Sequence, residues 1–332
     1  MAGQASRNFM SRRLGLALIR AIVTLLIVAT LNFILFRVIP GDPANMLLAG
    51  ARSSVTAEQI EAQRQNWGLD RPLFPDQVVD YLWASLHGDL GYSFKFRGRQ
   101  VADLIFERLP ATIALVGLAQ IIAILGGVML GLYAGWRRGG AIDNIATVSS
   151  LALYSTPAFW LAMLLIVTFS TVSGWLPGYG AYSPSASIAS VDRLLDYLKH
   201  LALPVAAVAL GLIGQYVVVA RAAMSEVVTE DYMVTARAKG LTHRQMLMHH
   251  ACRNAMLPVV TLITLNLGYV VAGAITVEAV FAWPGIGGLT VEALNARDYP
   301  VLQGIFLLLG ASIVAANLLA DLAYGILDPR VR

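Results

Sequence analysis

Six stretches of roughly 20 mostly apolar residues punctuate the chain: Leu14 to Phe36, Thr112 to Gly135, Ile145 to Val172, Leu201 to Ala220, Val259 to Val280 and Val301 to Ile326. Each is long enough to cross a hydrocarbon core about 30 Å thick. Lipid offers no water to backbone N–H and C=O groups, so each stretch must satisfy them internally, and a helix does so. The chain is 57% hydrophobic and 13% charged, which places it outside ordinary soluble domains. The expected fold is an all-α membrane protein with six transmembrane helices.

Short connections predict the orientation. Arg7, Arg12 and Arg13 precede the first span, Arg137 and Arg138 follow the second, and Arg221, Arg237, Lys239, Arg244 and Arg253 follow the fourth. Lys and Arg accumulate on the cytoplasmic side, so both termini are expected there. The long first loop, roughly Pro40 to Leu109, also carries basic residues, but long loops translocate largely regardless of charge. The net charge of +4 is thus a topological signal and gives no reason to expect nucleic-acid binding. Arg12-Arg13 followed by an apolar run imitates a signal peptide. The run is longer than a typical signal core and no small-residue cleavage pattern precedes Pro40, so it is expected to stay as a span. Cys252, the only cysteine, can form no disulfide within the chain.

The first span and its loop read as an addition to a five-helix core that begins near Val101. The loop holds turn-like clusters, ends in an amphipathic run from Val101 to Leu109, and gives way to Pro110, which suits the first turn of a new helix. Gly127, Gly131 and Gly135 recur every four residues in the second span, a stripe that lets a neighbouring helix approach closely. Pro157 is expected to kink the third span. The second external loop, Ser173 to His200, is expected to cap an outer vestibule.

Enzyme chemistry finds little support. No G-x-x-x-x-G-K-[ST] run is present, and none of Lys95, Lys199 and Lys239 follows a glycine, so the chain supplies no phosphate-cradling loop. Neither H-E-x-x-H nor G-x-S-x-G occurs. His243, His249, His250 and Cys252 cluster in sequence, but histidines on a loop helix more often face water or form hydrogen bonds, and no metal is expected. Ionisable and polar residues within spans are costly in lipid and therefore candidates for function. Gln215, Asn266, Glu278, Asn317 and Asp321 are of this kind; they either line a route or fix helix contacts. Arg20 and Arg37 lie near the ends of the first span, where long side chains can reach the interface. A proton-coupled transporter would need a relay of such acids, and two scattered ones are thin support; a bare channel leaves the next segment unexplained.

That segment, Glu226 to Pro258, is hydrophilic and lies between two spans. Met224, Val227, Val234, Ala238 and Leu241 follow helical spacing and are expected to form one apolar face, with Glu226, Glu230 and Arg237 on another. Gly240 is placed to end that helix, and Thr242 to Gln245 has the S/T-x-x-E/Q form that starts a second. A compact helix-turn-helix at a membrane face is shaped to dock into another protein. Its mixed charge and tethering between spans argue against DNA.

The run Glu230-Asp231-Tyr232, Ala236-Arg237-Ala238-Lys239-Gly240-Leu241, Arg253-Asn254-Ala255 and Leu257-Pro258 resembles the coupling loop of permease subunits in dipeptide, oligopeptide and nickel ABC importers. Pro40-Gly41-Asp42-Pro43, Gly68 to Pro72, Gly88-Asp89-Leu90-Gly91, Phe281 to Gly288, Arg297 to Pro300 and Asp328 to Arg332 agree with that family's punctuation. Val234-Thr235-Ala236 stands where the general importer loop has Glu-Ala-Ala, a departure usual for the peptide and nickel branch. The resemblance implies a type I ABC importer transmembrane domain with an extra N-terminal span and a long external loop. Residues 1–100 would form the cytoplasmic N-terminus, first span and loop; 101–328 the core, with a coupling loop at 221–258; and 329–332 a cytoplasmic tail. Thr235, Ala236, Arg237, Ala238, Lys239, Gly240 and Leu241 would couple to an ATPase. The implied partners are a second homologous permease subunit, two ATP-binding subunits carrying ATP and Mg, an extracytoplasmic solute-binding protein, and membrane lipid. The implied location is a bacterial or archaeal inner membrane.

Overall fold

The computed structural model describes residues 2–38, 72–96, 98–184, 190–271 and 274–327. In chain order the helices are α1 (Ala2–Val38), α2 (Val78–Leu86), α3 (Val101–Trp136), α4 (Ala141–Ser155), α5 (Ala158–Leu165, continued in wider turns by Ile166–Val172) and α6 (Ser190–Val227). After these come α7 (Asp231–Ala238), α8 (His243–Gln245), which passes through Met246–Ala251 into α9 (Cys252–Tyr269), then α10 (Ile275–Val280), α11 (Ile286–Ala296) and α12 (Tyr299–Leu327). Among the described residues the sole strand-like pairing is the bridge between Tyr92 and Gln100. The motifs Pro40 to Pro43, Gly68 to Arg71 and Asp328 to Arg332 lie outside the described residues, as does the side chain of Asp321.

Among the described residues four helices are long and apolar enough to cross a bilayer, at Gly15–Phe36, Val101–Trp136, Val191–Val227 and Tyr299–Leu319; α4 with α5 makes a fifth if the bent pair is one span. The bend there is 100°. Its cause is local: Pro157 lacks a donor, and its ring pushes Thr156 out of the helical region, to φ −82° and ψ 128°. The stretch expected as one span from Val259 to Val280 is divided. Helix α9 starts earlier, at Cys252, and ends at Tyr269, and α10 resumes at Ile275.

Pro110 does not begin a helix. It lies inside α3, which runs unbroken from Val101. The loss of one donor is outweighed because Val101, Leu104 and Ile105 bury an apolar stripe of their own in the preceding turns.

The chain divides into two units, one of residues 1–109 with 289–318, the other of residues 110–288 with 319–332. The first unit therefore takes part of the last helix as well as the N-terminal region. Within it Gly304 meets α3, where an added Cβ would stand 2.6 Å from Val101 Cγ1. Asp298, fully buried, accepts from Ser93 Oγ at 2.5 Å and from the backbone N–H groups of Phe94 and Lys95 at 3.0 Å each.

In the second unit α3 and α6 pack with their backbones in contact. Added Cβ atoms at Gly127, Gly131 and Gly135 would meet Tyr216 Cβ, Val217 O and Arg221 O, each at 2.6 Å. The four-residue glycine stripe is thus a packing face, as its spacing predicts. Gly214 of α6 meets Ser150 O of α4 in the same way, at 2.5 Å. Asp143 at the start of α4, only 1% exposed, accepts from the Arg221 guanidinium through both oxygens, Nη2 to Oδ2 measuring 3.0 Å.

Candidate functional site

The loop from Arg221 to Pro258 has three parts. Helix α6 stops at Val227; a turn at residues 228–230 follows, in which the Thr229 hydroxyl donates to Glu226 O (2.7 Å) and Glu230 becomes extended (φ −69°, ψ 146°). Helix α7 then ends before Gly240, whose φ of +75° lies in the left-handed region that a residue without Cβ adopts freely. Thr242 starts the next helix with a full capping box: its hydroxyl accepts from Gln245 N, and Gln245 Oε1 accepts from Thr242 N at 3.0 Å. Both signals expected from the sequence, the glycine stop and the Thr–Gln start, are present.

The apolar face differs from the expectation. Met224 and Val227 belong to the end of α6, and the turn after them resets the helical phase, so Val234 and Ala238 do not continue their stripe. Met233 and Ala236 point inward instead, each 5% exposed, against Met224, Met246, Ala251 and Ala255. Val227 and Leu241 pack on the margin of that cluster. Val234 is 65% exposed, and Thr235, Arg237, Ala238 and Lys239 are exposed with it. The seven residues from Thr235 to Leu241 therefore play two roles: Ala236 and Leu241 hold α7 to the body of the unit, and the others, Gly240 included, face outward.

Three of the inward contacts, Met224, Met233 and Met246, are methionines. Their unbranched side chains repack at low cost, so the bed beneath α7 tolerates small shifts of the helix. A polar tie fixes its first turn, where Asn254 Nδ2 donates to Tyr232 Oη at 2.8 Å and to His250 O at 3.1 Å. Through the Arg221–Asp143 pair, the end of α6 that enters this loop is bound to α4. His243 lies edge-on to Trp136, ring centroids 5.9 Å apart. Burial pushes the Cys252 thiol up, which disfavours the thiolate a metal would need. No group of three His, Cys, Asp or Glu side chains converges among the described residues.

The polar residues within the spans separate into distinct environments. Asn266 Nδ2 donates to Gln215 Oε1 (3.3 Å) and to Tyr216 Oη (3.1 Å), and Gln120 Nε2 donates to the same hydroxyl. Tyr216 and Gln120 are buried while Gln215 and Asn266 are half-buried, so the cluster binds α3, α6 and α9 together and leaves two amides at its edge. Asn317 is exposed. Glu278 is wholly buried and faces no open route. Its Oε1 accepts from Thr112 Oγ1 (2.9 Å) and its Oε2 from the N–H groups of Gly287 (2.7 Å) and Gly288 (3.3 Å), while Ile286 N donates to Thr112 Oγ1 at 2.8 Å. The carboxyl fills space that a Cβ at Gly285 or Gly287 would occupy, at 2.3 Å and 2.9 Å from Glu278 Oε2. Ala282 is held at φ +48°, a conformation costing about 1–2 kcal/mol for a residue with a Cβ. Trp283, buried and donating from Nε1 to Ala111 O at 3.0 Å, helps to impose it.

Asp143, Gln120, Tyr216 and Thr112 were not singled out by sequence reasoning, and Asp298 entered it only as part of the run Arg297 to Pro300. Thr112 and Gln120 were open to notice as polar residues inside an apolar stretch. The contacts the two aspartates make carry no local signal, because their partners are distant in the chain.

Two family models match the chain. The binding-protein-dependent transport system inner membrane component matches residues 127–332, and the N-terminal component of the same systems matches residues 7–116. The dipeptide transport system permease protein of Escherichia coli (strain K12) is 40% identical over 344 aligned positions, covering 98% of each chain. A putative peptide transport system permease protein of Brucella abortus (strain 2308) is 42% identical over 315 positions, covering 94% of this chain and 96% of its own. A putative peptide permease protein of Brucella suis is 39% identical over 311 positions, covering 93% and 95%. With these matches extending over nearly its whole length and its apolar helices packed as described, the chain belongs to the inner-membrane components of binding-protein-dependent transport systems.

Proposed function

We propose that this chain is one permease subunit of an ATP-driven peptide importer, forming half of the translocation pathway, with the loop 221–258 as its ATPase docking site. The peptide reading is supported by the relatives named for dipeptide and peptide transport, one of which it matches over 98% of both chains. The docking reading is carried by one observation: α7 stands on a methionine bed and turns Val234, Thr235, Arg237, Ala238 and Lys239 outward. The partners are a second homologous permease chain, two ATP-binding subunits that hold ATP and Mg, and an extracytoplasmic solute-binding protein. No covalent chemistry takes place on this chain. Both termini and the docking loop lie in the cytoplasm, in keeping with the basic residues of the short loops.

In this mechanism the ATPases move as they bind and hydrolyse ATP, and α7 moves with them. The shift passes into α6, and through Arg221 and Asp143 into α4, so that the pathway opens to each side in turn. Gln215 and Asn266, at the edge of the buried amide cluster, contact the passing solute, whose peptide groups both donate and accept hydrogen bonds.

The test is uptake of a labelled dipeptide into proteoliposomes containing this chain, its companion subunits and the binding protein. Uptake is expected to require ATP and to cease without the ATP-binding subunits. Uptake driven by a proton gradient with those subunits absent would overturn the reading in favour of a secondary transporter. Cysteine labelling at Arg138 and Gly240 from the cytoplasmic side, and at Tyr179 from the opposite side, checks the orientation.

A further inference from the structure

Helix α2 turns Val78 and Tyr81 inward and carries an exposed apolar arc outward, with the exposed Asp80 beside that arc. Gln77 and Val78, 8% and 5% exposed, turn toward the rest of the first unit, and so does Tyr81. The Tyr81 hydroxyl accepts from Asn32 Nδ2 at 3.1 Å, and the same amide donates to Gln303 O at 2.8 Å. The rings of Phe33 and Tyr81 lie 5.4 Å apart. On the opposite arc Val79, Trp83 and Leu86 are 58%, 66% and 69% exposed, and Phe74, just before the helix, is 69% exposed. The spacing of 79, 83 and 86 places these three on one face. A helix resting on a protein surface in water presents a charged or polar arc there instead.

The contacts of α2 fix its depth. Asn32 and Phe33 lie four and three residues before Phe36, the last residue of the apolar stretch Gly15–Phe36. At about 1.5 Å per residue this places them roughly 5–6 Å inside the end of the span. A helix held against these residues lies at the boundary between hydrocarbon and headgroups, the level that tryptophan favours. The outer arc of α2 then continues the lipid-facing surface of α1, on which Leu31 and Leu35 are 60% and 53% exposed. We infer that α2 is an interfacial helix lying along the membrane surface, with Val79, Trp83 and Leu86 inserted among lipid chains at the headgroup boundary. Tyr81 on its inward side ties that anchor to Asn32 of α1, which is bonded in turn to Gln303 O of α12.

The experiment uses the full chain, reconstituted with its co-purifying subunits into phosphatidylcholine bilayers, in a Cys252→Ser background. Trp83→Cys and Leu86→Cys carry a bimane fluorophore, with Leu31→Cys as the lipid-facing reference and Asp103→Cys as the water-facing one. Brominated phospholipid is expected to quench the labels at 83 and 86 to an extent comparable with 31, and aqueous iodide to quench them far less than at 103. Iodide quenching equal to that at 103 would overturn the inference in favour of a solvated helix. Protection from both quenchers would overturn it in favour of a face covered by another subunit.

Discussion

The loop closed by Glu278 and the loop around α7 lie in the same unit, and both connect helices, yet they are held by opposite means. Around Glu278 the contacts are directional: one carboxyl accepts from a hydroxyl and two backbone N–H groups, glycines leave it room, and Ala282 is held in a strained conformation. Beneath α7 the contacts are mostly apolar and adaptable, three methionines set among small alanines. Directional bonds are lost after small displacements, whereas methionine contacts can slide and re-form. The first loop is therefore a fixed point and the second a compliant joint. The coupling proposed above needs both, since a joint transmits motion only relative to parts that stay still.

The largest expected effect lies at the fixed point. Glu278→Ala removes all three acceptor contacts and leaves the Thr112 hydroxyl and the N–H groups of Gly287 and Gly288 buried without them. Each such loss costs about 1–3 kcal/mol, enough together to unfold the loop and release the strain at Ala282. A much lower melting temperature and reduced accumulation in the membrane are expected, measured by thermal unfolding in detergent and immunoblotting. An unchanged melting temperature would remove the distinction between the two loops.

Next comes the joint's connection to the span it moves. Asp143→Ala leaves the Arg221 guanidinium without its bidentate partner. Breaking such a pair costs about 3–5 kcal/mol when both partners are buried, and the lower end applies here because Arg221 keeps about a third of its side chain in solvent. Loss of ATP-stimulated transport should exceed the loss of folded protein, because the pair also links α6 to α4. If transport falls only in proportion to protein level, the pair is a simple brace.

Local signals in the sequence were sufficient for the parts set by neighbouring residues. Gly240 and the Thr242–Gln245 box lie within six residues of one another, the Pro157 break needs only proline and the residue before it, and the glycine stripe is plain repetition. The rest depends on tertiary partners. The phase of α7 is reset by a three-residue turn whose geometry follows from packing, so the stripe through Met224, Val227, Val234 and Ala238 could not show which side faced inward. Glu278 could be read as lining a route because Thr112, 166 positions away, supplies the contact that encloses it. Asp298 and Ser93, 205 positions apart, are a still more distant case.

Two tryptophan substitutions sharpen the comparison at the joint. Ala236 lies in the methionine bed, where a bulky side chain forces displacement costing about 1–3 kcal/mol. Ala236→Trp should lower the melting temperature of the chain itself. Ala238 is exposed, so Ala238→Trp should leave melting unchanged and instead weaken recovery of ATP-binding subunits in a pull-down. Equal melting for the two variants would show that the bed is looser than its packing implies.

The smallest effects are expected on the outer surface of α7. An added Cβ at Gly240 meets no atom within 4 Å, so Gly240→Val is opposed only by its φ of +75°, at about 1–2 kcal/mol. That cost is confined to the turn, and the expected result is a modest shift in melting with impaired coupling of ATP hydrolysis to uptake. Lys239 sits beside it on the exposed end of α7, where a single solvated charge is worth about 0–1 kcal/mol in contacts. Lys239→Gln should therefore change neither melting nor assembly measurably. If Lys239→Gln abolished subunit recovery while Ala238→Trp assembled normally, the joint would be held to its partner by charge, and the exposed small-residue face of α7 would not be the contact surface.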